Sequence, residues 1–168
     1  MKTDWEVELA VVIEKHASYI RPEEVMTHVA GFCLHNDYSE RECQLERGGQ
    51  WVKGKSFDSF APLGPFLVTA DEIQNPDSLH LWLKLNGKVM QDANTSDLIF
   101  PIPALVSYLS QFMSLLPGDV ISTGTPTGVG LGLKPPRFLA DGDVVQCGID
   151  GLGIATQHAV AYDRFLSL

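Results

Sequence analysis

Residues 5–13 read WEVELAVVI, a short apolar and β-branched run that carries two carboxylates, Glu6 and Glu8. Such a run is typical of a buried strand, and we predict one over Val7–Ile13. Side chains two residues apart in a strand share a face, so the two carboxylates point the same way. Like charges so close repel unless a cation lies between them. Two interpretations are open: a solvated strand edge, or a site for a divalent cation.

Composition limits the kind of protein and its partners. The chain has 168 residues, of which 45% are hydrophobic, so we predict a single domain over residues 1–168. Its 12 Lys and Arg against 21 Asp and Glu give a net charge of -9, which repels nucleic acids and anionic membranes. We find no membrane-spanning run and no signal-peptide pattern, so we expect a cytoplasmic protein with a small-molecule partner.

Turn signals and hydrophobic periodicity predict more strands than helices. Asn86-Gly87 lies between two alternating runs and is the strongest hairpin signal in the chain. Helical spacing and a proline at the first turn predict two helices, from Pro22 to near Gly31 and over 102–113. We therefore predict an α+β fold with a mostly antiparallel or mixed sheet. The other predicted strands cover 32–36, 79–85, 88–91, Val120–Ser122, Val144–Ile149 and 154–161.

Asp37 follows the strand predicted over 32–36 and begins a polar turn, where a short carboxylate is well placed as a third oxygen ligand. Three carboxylates form a hard oxygen set suited to Mg²⁺ or Mn²⁺, and a bound ion could polarise a substrate carbonyl. Lys55 lies among small and aromatic residues. It is either held near an anionic ligand or a surface lysine.

The segment 122–130, STGTPTGVG, follows a predicted strand and has the composition of an anion-binding loop. It lacks the lysine ending of a P-loop, and no predicted helix follows it, so it is not a clean dinucleotide fingerprint. Its backbone amides and the Thr125 hydroxyl could still bind a carboxylate.

Five motifs follow one another along the chain. They are Glu6-Val7-Glu8, Asn36-Asp37 with Ser39, Arg41 and Gln44, Gly54-Lys55-Ser56-Phe57-Asp58, Asn94-Thr95-Ser96, and PGDVISTGTP over 117–126. In this order they resemble the C-terminal catalytic domain of the fumarylacetoacetate hydrolase family. The resemblance extends from about Asp4 to the end of the chain. Within the family, segments 39–49 and 134–136 resemble members named ureidoglycolate lyase or diketo-deoxy-sugar-acid hydrolase.

The resemblance implies a fold and a reaction class. The fold is a mixed β-sheet roll with a few helices, usually dimeric, that holds Mg²⁺ or Mn²⁺ through Glu6, Glu8 and Asp37. The implied enzyme hydrolyses C–C bonds of 2,4-dioxo acids of the acylpyruvate type through a metal-stabilised enolate. Decarboxylation of 2-oxo acids, isomerisation and ureidoglycolate-type lyase chemistry on the same site are the alternatives.

The resemblance also implies roles for side chains around the metal. Gln44 and Lys55 would be catalytic and contact the substrate or its developing oxyanion. Thr125, with neighbouring Gly124, would bind the substrate carboxylate. Arg41 would brace the turn that carries Asp37.

Typical family members carry a His and a Glu on a lid helix ahead of this domain, where they position or deprotonate the attacking water. We expect that segment to be absent here, because only five residues precede Glu6. A second hypothesis is therefore a truncated, catalytically impaired domain for metal binding or dimerisation. His35, two residues before Asp37, is either a substitute base or ligand or a packed histidine with a backbone hydrogen bond.

Overall fold

The computed structural model describes residues 1–162, whose strands form two four-stranded sheets and a two-stranded ribbon. The strands are β1 (Thr3–Asp4), β2 (Val7–Ile13), β3 (Val29–Asn36), β4 (Ser39–Glu40), β5 (Val68–Thr69), β6 (His80–Leu85), β7 (Lys88–Asn94), β8 (Val120–Ser122), β9 (Val144–Ile149) and β10 (Gly153–His158). The α-helices are α1 (Val52–Lys55) and α2 (Ile102–Leu109). Other helical segments are 3₁₀ at Pro22–His28, Thr95–Asp97 and Gly130–Gly132, and π at Glu42–Glu46.

The core lies between the two large sheets. Their strand orders are β5-β3-β2-β8 and β10-β9-β6-β7, and every strand pair among residues 1–162 is antiparallel. Val7 and Leu9 of β2 share one buried cluster with Leu81 and Leu83 of β6. The predicted α+β class, mostly β with few helices, is confirmed. Within the described residues, no helix is long and apolar enough to cross a bilayer.

The predicted hairpin forms between β6 and β7. Asn86 and Gly87 have φ angles of 50° and 81°, the positive values that a tight two-residue turn requires. The returning strand extends three residues beyond its predicted end at 91, because β7 pairs with β6 as far as Asn94 opposite His80.

Three further predicted boundaries are wrong, and tertiary contacts explain each. The first helix is a 3₁₀ segment that ends at His28, because Val29 joins β3 and pairs with Ile13. Helix α2 ends at Leu109 instead of 113, where the Ser110 carbonyl accepts a hydrogen bond from the Tyr19 N–H. The last strand ends at 158 instead of 161, since its partner β9 begins opposite that residue.

Strand β5 lies very close to β3 at Gly31, and a substitution there tests this packing. A Cβ atom there would lie 2.0 Å from the Val68 carbonyl oxygen, so the strands must separate to accept it. We expect Gly31→Ala to lower the free energy of unfolding by about 2–4 kcal/mol in urea denaturation. Gly132→Ala, at an exposed glycine where a Cβ atom would lie an unstrained 3.9 Å from the Val129 side chain, is the control and should change it by less than about 0.5 kcal/mol. Equal losses would contradict this packing.

Candidate metal centre

Three carboxylates predicted as metal ligands meet at one end of the β2–β3 pair. Oxygen atoms of Glu6, Glu8 and Asp37 all lie within 4.8 Å of one another. Glu6 and Glu8 are only 8% and 3% exposed, which rules out a solvated strand edge. Burying like charges together is unfavourable without compensating positive charge, so the cluster requires cations around it.

Backbone hydrogen bonds hold the two ligand-bearing segments against each other. Glu6 directly precedes β2 and Asp37 directly follows β3, its antiparallel neighbour. The Asp37 N–H donates to the Glu6 carbonyl at 2.8 Å, and the Glu6 N–H donates to the Asn36 side-chain oxygen at 3.0 Å. The ends of two strands therefore position two of the three carboxylates.

Lys55 supplies positive charge at the cluster. Its ammonium nitrogen lies 2.7 Å from Glu6 Oε2 and 2.6 Å from Asp37 Oδ2, at the last residue of α1. Burial acts to lower the pKa of Lys55, but hydrogen bonds to Asp37 and Glu6 raise it above its ordinary value. The carboxylates thus already hold one cationic group, and their hard oxygens fit a divalent ion of the Mg²⁺ or Mn²⁺ kind.

Arg41 is the second cation, and it contacts Glu6 instead of bracing the Asp37 turn as predicted. Its guanidinium donates to Glu6 Oε1 at 2.6 Å and to Gln44 Oε1 at 3.0 Å. Its Nε donates to Asp4 Oδ2 at 3.0 Å. Asp4 is fully buried, and its carboxylate also accepts from the N–H groups of Gly130 and Leu131 at 2.6 and 3.0 Å.

Glu8 is the carboxylate of the cluster that forms no ion pair with Lys55 or Arg41. Burial, reinforced by the charges of Asp37 and Glu6, raises the pKa of Glu8 to about 8, although the Gly124 N–H bonds its Oε2 at 2.8 Å. Without a metal ion, Glu8 is therefore mostly protonated at neutral pH. A divalent ion would favour its ionised form.

Gly124 and Thr125 lie beside the cluster, but both already bond within the protein. The Gly124 N–H donates to Glu8, and the Thr125 hydroxyl donates to the Val7 carbonyl at 3.0 Å. Gln91, which the sequence analysis missed, donates to the Thr125 hydroxyl at 2.8 Å and accepts from the Val7 N–H at 3.0 Å. A polar residue at a buried position of an alternating strand was the available signal.

Gln44 and His35 are the remaining predicted residues, and Lys55 shares a cavity with one of them. Gln44 and Lys55 line a cavity of about 210 Å³ beside Glu6. His35 is buried and its Nδ1 lies 3.2 Å from the Pro62 carbonyl, the backbone contact expected of a packed histidine. Burial lowers the pKa of His35 despite this contact and the Asp37 charge.

Family comparison agrees with the fold and the motifs. The family model described as fumarylacetoacetate (FAA) hydrolase C-terminal matches residues 1–160. The chain therefore belongs to the fumarylacetoacetate hydrolase family, as its motifs predicted.

One relative shows how much of a longer protein this chain corresponds to. A protein of Burkholderia lata, named only as a hydrolase, is 53% identical over 159 residues, which are 94% of this chain and 56% of that protein. The chain thus spans about half the length of this relative.

Two solved structures are also similar. A 2-hydroxyhepta-2,4-diene-1,7-dioate isomerase from Mycobacterium marinum is 37% identical with a TM-score of 0.85, covering 95% of this chain and 59% of that one. A maleylpyruvate hydrolase from Sphingobium sp. SYK-6, in complex with manganese and pyruvate, is 33% identical with a TM-score of 0.83, covering 95% and 55%.

We expect the affinity of the site for Mn²⁺ to rise with pH, because metal binding displaces the Glu8 proton. Below the Glu8 pKa of about 8, the gain should approach tenfold per pH unit. Titration calorimetry between about pH 6 and pH 8, in buffers of different ionisation enthalpy, measures both the affinity and the protons released. An affinity that does not change with pH would contradict the assignment of Glu8.

The same pKa predicts the stability of the metal-free protein. The folded state binds the Glu8 proton more tightly than the unfolded state, so stability falls as pH rises from 4.5 towards 8. Glu8→Gln should remove this loss. Near pH 8 it should increase the free energy of unfolding by on the order of 1 kcal/mol or more, which thermal denaturation would show as a higher melting temperature. Glu14→Gln, at an exposed carboxylate, is the control.

Proposed function

We propose that this chain is a divalent-metal-dependent enzyme that hydrolyses a C–C bond in 2,4-dioxo acids of the acylpyruvate type. The observation that carries the proposal is the buried cluster of Glu6, Glu8 and Asp37, with carboxylate oxygens within 4.8 Å of one another. Its oxygen ligands suit Mg²⁺ or Mn²⁺. Similarity to a maleylpyruvate hydrolase that holds manganese and pyruvate supports Mn²⁺ as the metal and pyruvate as a product.

The reaction adds water to the 4-oxo carbon and breaks the bond between carbons 3 and 4. The bonding electron pair moves to carbon 3, which gains a proton, and the products are a carboxylic acid and pyruvate. A bound divalent ion would supply positive charge for the negative charge that develops on the 2-oxo oxygen.

Side chains of this chain have defined tasks in the proposal. Lys55 holds Glu6 and Asp37 in place and adds a second positive charge next to the reacting oxygens. The Gln44 carbonyl accepts from Arg41, which orients its NH₂ group as a donor for substrate. Gly124 and Thr125 bind the substrate carboxylate in this proposal, which requires the Gly124 N–H to turn from Glu8 and the Thr125 hydroxyl to turn from the Val7 carbonyl.

Isomerisation is the second candidate. The similarity to a 2-hydroxyhepta-2,4-diene-1,7-dioate isomerase favours it, and the reaction uses the same stabilised oxygen without adding water. The non-catalytic alternative is a domain that binds metal and ligand without turning the ligand over.

Acetylpyruvate turnover tests these proposals. We expect its enol absorbance to fall and pyruvate to appear with Mn²⁺ or Mg²⁺, and EDTA to stop both. Glu8→Gln should lower the rate by about 100-fold or more, because a lost metal ligand removes several kcal/mol of charge stabilisation. Glu14→Gln, at an exposed position, should leave the rate unchanged.

The products separate the candidates. Loss of enol absorbance without pyruvate would favour isomerisation. Mn²⁺ binding without any turnover would favour the binding domain.

A homodimer is the oligomeric state that we propose. Aromatic side chains are exposed along and beside α2, where Tyr108 and Phe112 are 65% and 66% exposed and pack edge to face with ring centroids 4.9 Å apart. Apolar surface of this kind marks an interface. Sedimentation velocity should give a dimer, and Phe112→Glu should shift it to monomer, while Ile154→Glu on exposed β10 should not. A monomeric wild-type protein would contradict the proposal.

A further inference from the structure

The cavity beside the carboxylates has a charged, buried part and an apolar, exposed part. Its volume is about 210 Å³, below the roughly 300 Å³ at which pockets for drug-sized ligands begin. It therefore suits a small acid. The buried part is formed by Glu6, Arg41 and Gln44, with partly buried Lys55 beside them, and the exposed part by Leu45, Trp51 and Leu131.

Both cations of the cavity are already neutralised. Arg41 forms ion pairs with Asp4 and Glu6, and Lys55 pairs with Glu6 and Asp37. With Glu8 included, the two cations face four carboxylates, and one divalent ion balances the two excess negative charges. The first carboxylate of a ligand therefore already makes the site net negative, and a second carboxylate would add a further uncompensated charge.

Two other cationic residues, Arg47 and Lys53, lie between Arg41 and Lys55 in the sequence, but they are outside the cavity and have partners. Arg47 pairs with Glu42, and the Lys53 ammonium donates to the Arg47 carbonyl. Neither residue lines the cavity. A carboxylate at the far end of a ligand would thus meet apolar side chains instead of a cation.

The apolar part of the cavity consists of three apolar side chains that are exposed side by side. Leu45, Trp51 and Leu131 are 46%, 61% and 40% exposed, and all three line the same cavity. Covering them with an apolar ligand tail removes apolar surface from water, which favours binding. The charged part and the apolar part are continuous, so one ligand reaches both.

We propose that the cavity selects 2-oxo acids whose far end is a short apolar group over those that end in a second carboxylate. The inference rests on the proposed function, because the oxo-acid end would bind at the metal ion that Glu6, Glu8 and Asp37 hold. It adds the preference for a monocarboxylic substrate with an uncharged tail, and it assigns Leu45, Trp51 and Leu131 to that tail.

Two ligands of equal length test this preference without turnover. The first, 2-oxohexanoate, ends in a methyl group, and the second, 2-oxoadipate, ends in a carboxylate. Neither has a 4-oxo group, so the proposed hydrolysis cannot cleave them. Titration calorimetry of the Mn²⁺-loaded protein should show 2-oxohexanoate binding at least about tenfold more tightly.

Substitutions in the apolar part should change the preference. Leu131→Arg should reverse it in favour of 2-oxoadipate, and Trp51→Ala should reduce it severalfold by weakening 2-oxohexanoate alone. Leu116→Arg is the control, because Leu116 is 51% exposed and lies outside the cavity. Melting curves with and without Mn²⁺ verify that each variant folds.

Each outcome has one meaning. Equal affinities, or a preference for 2-oxoadipate, with Mn²⁺-dependent binding would overturn the apolar-tail inference and leave the proposed function standing. Binding of neither ligand to the Mn²⁺-loaded protein would overturn both.

Discussion

The structure depends on balancing carboxylates that are buried close together. Glu6, Glu8 and Asp37 carry like charges within a few ångströms, and Asp4 is buried behind them. Lys55 and Arg41 neutralise part of this charge through short ion pairs. Glu8 contacts neither cation, and its burial, reinforced by the charges of Asp37 and Glu6, raises its pKa. A protein that needed only stability would gain from apolar residues here, so the cluster indicates a binding function.

The fold keeps this arrangement rigid by placing it where separate elements meet. Strand ends carry Glu6 and Asp37, the helix α1 ends in Lys55, and the 3₁₀ turn at Gly130–Gly132 bonds Asp4. Gln91 connects β7 of the second sheet to the start of β2 and to the loop at Thr125. The charged side chains therefore have few alternative positions, which is the preorganisation that a metal centre requires.

Element boundaries show where local sequence signals fail. The segment from Pro22 has the proline and acids of a helix start, yet its length is set by the pairing of Val29 with Ile13 in the sheet. Helix α2 has sustained periodicity beyond Leu109, but the Ser110 carbonyl bonds the distant Tyr19 N–H. By contrast, the Asn86-Gly87 turn was predictable because its backbone requirement is local.

The sequence by itself determined the α+β class from strand alternation and turn signals, which are local properties. Its motifs also identified the family and, through that resemblance, the three carboxylates that meet. The partners of those carboxylates were decided by the tertiary structure. Arg41 contacts Glu6 and Asp4 instead of the Asp37 turn, and Gln91 enters from the other sheet. The apolar end of the cavity also combines Leu131 with residues some eighty positions earlier. Such contacts join segments distant in sequence, and only chain folding brings them together.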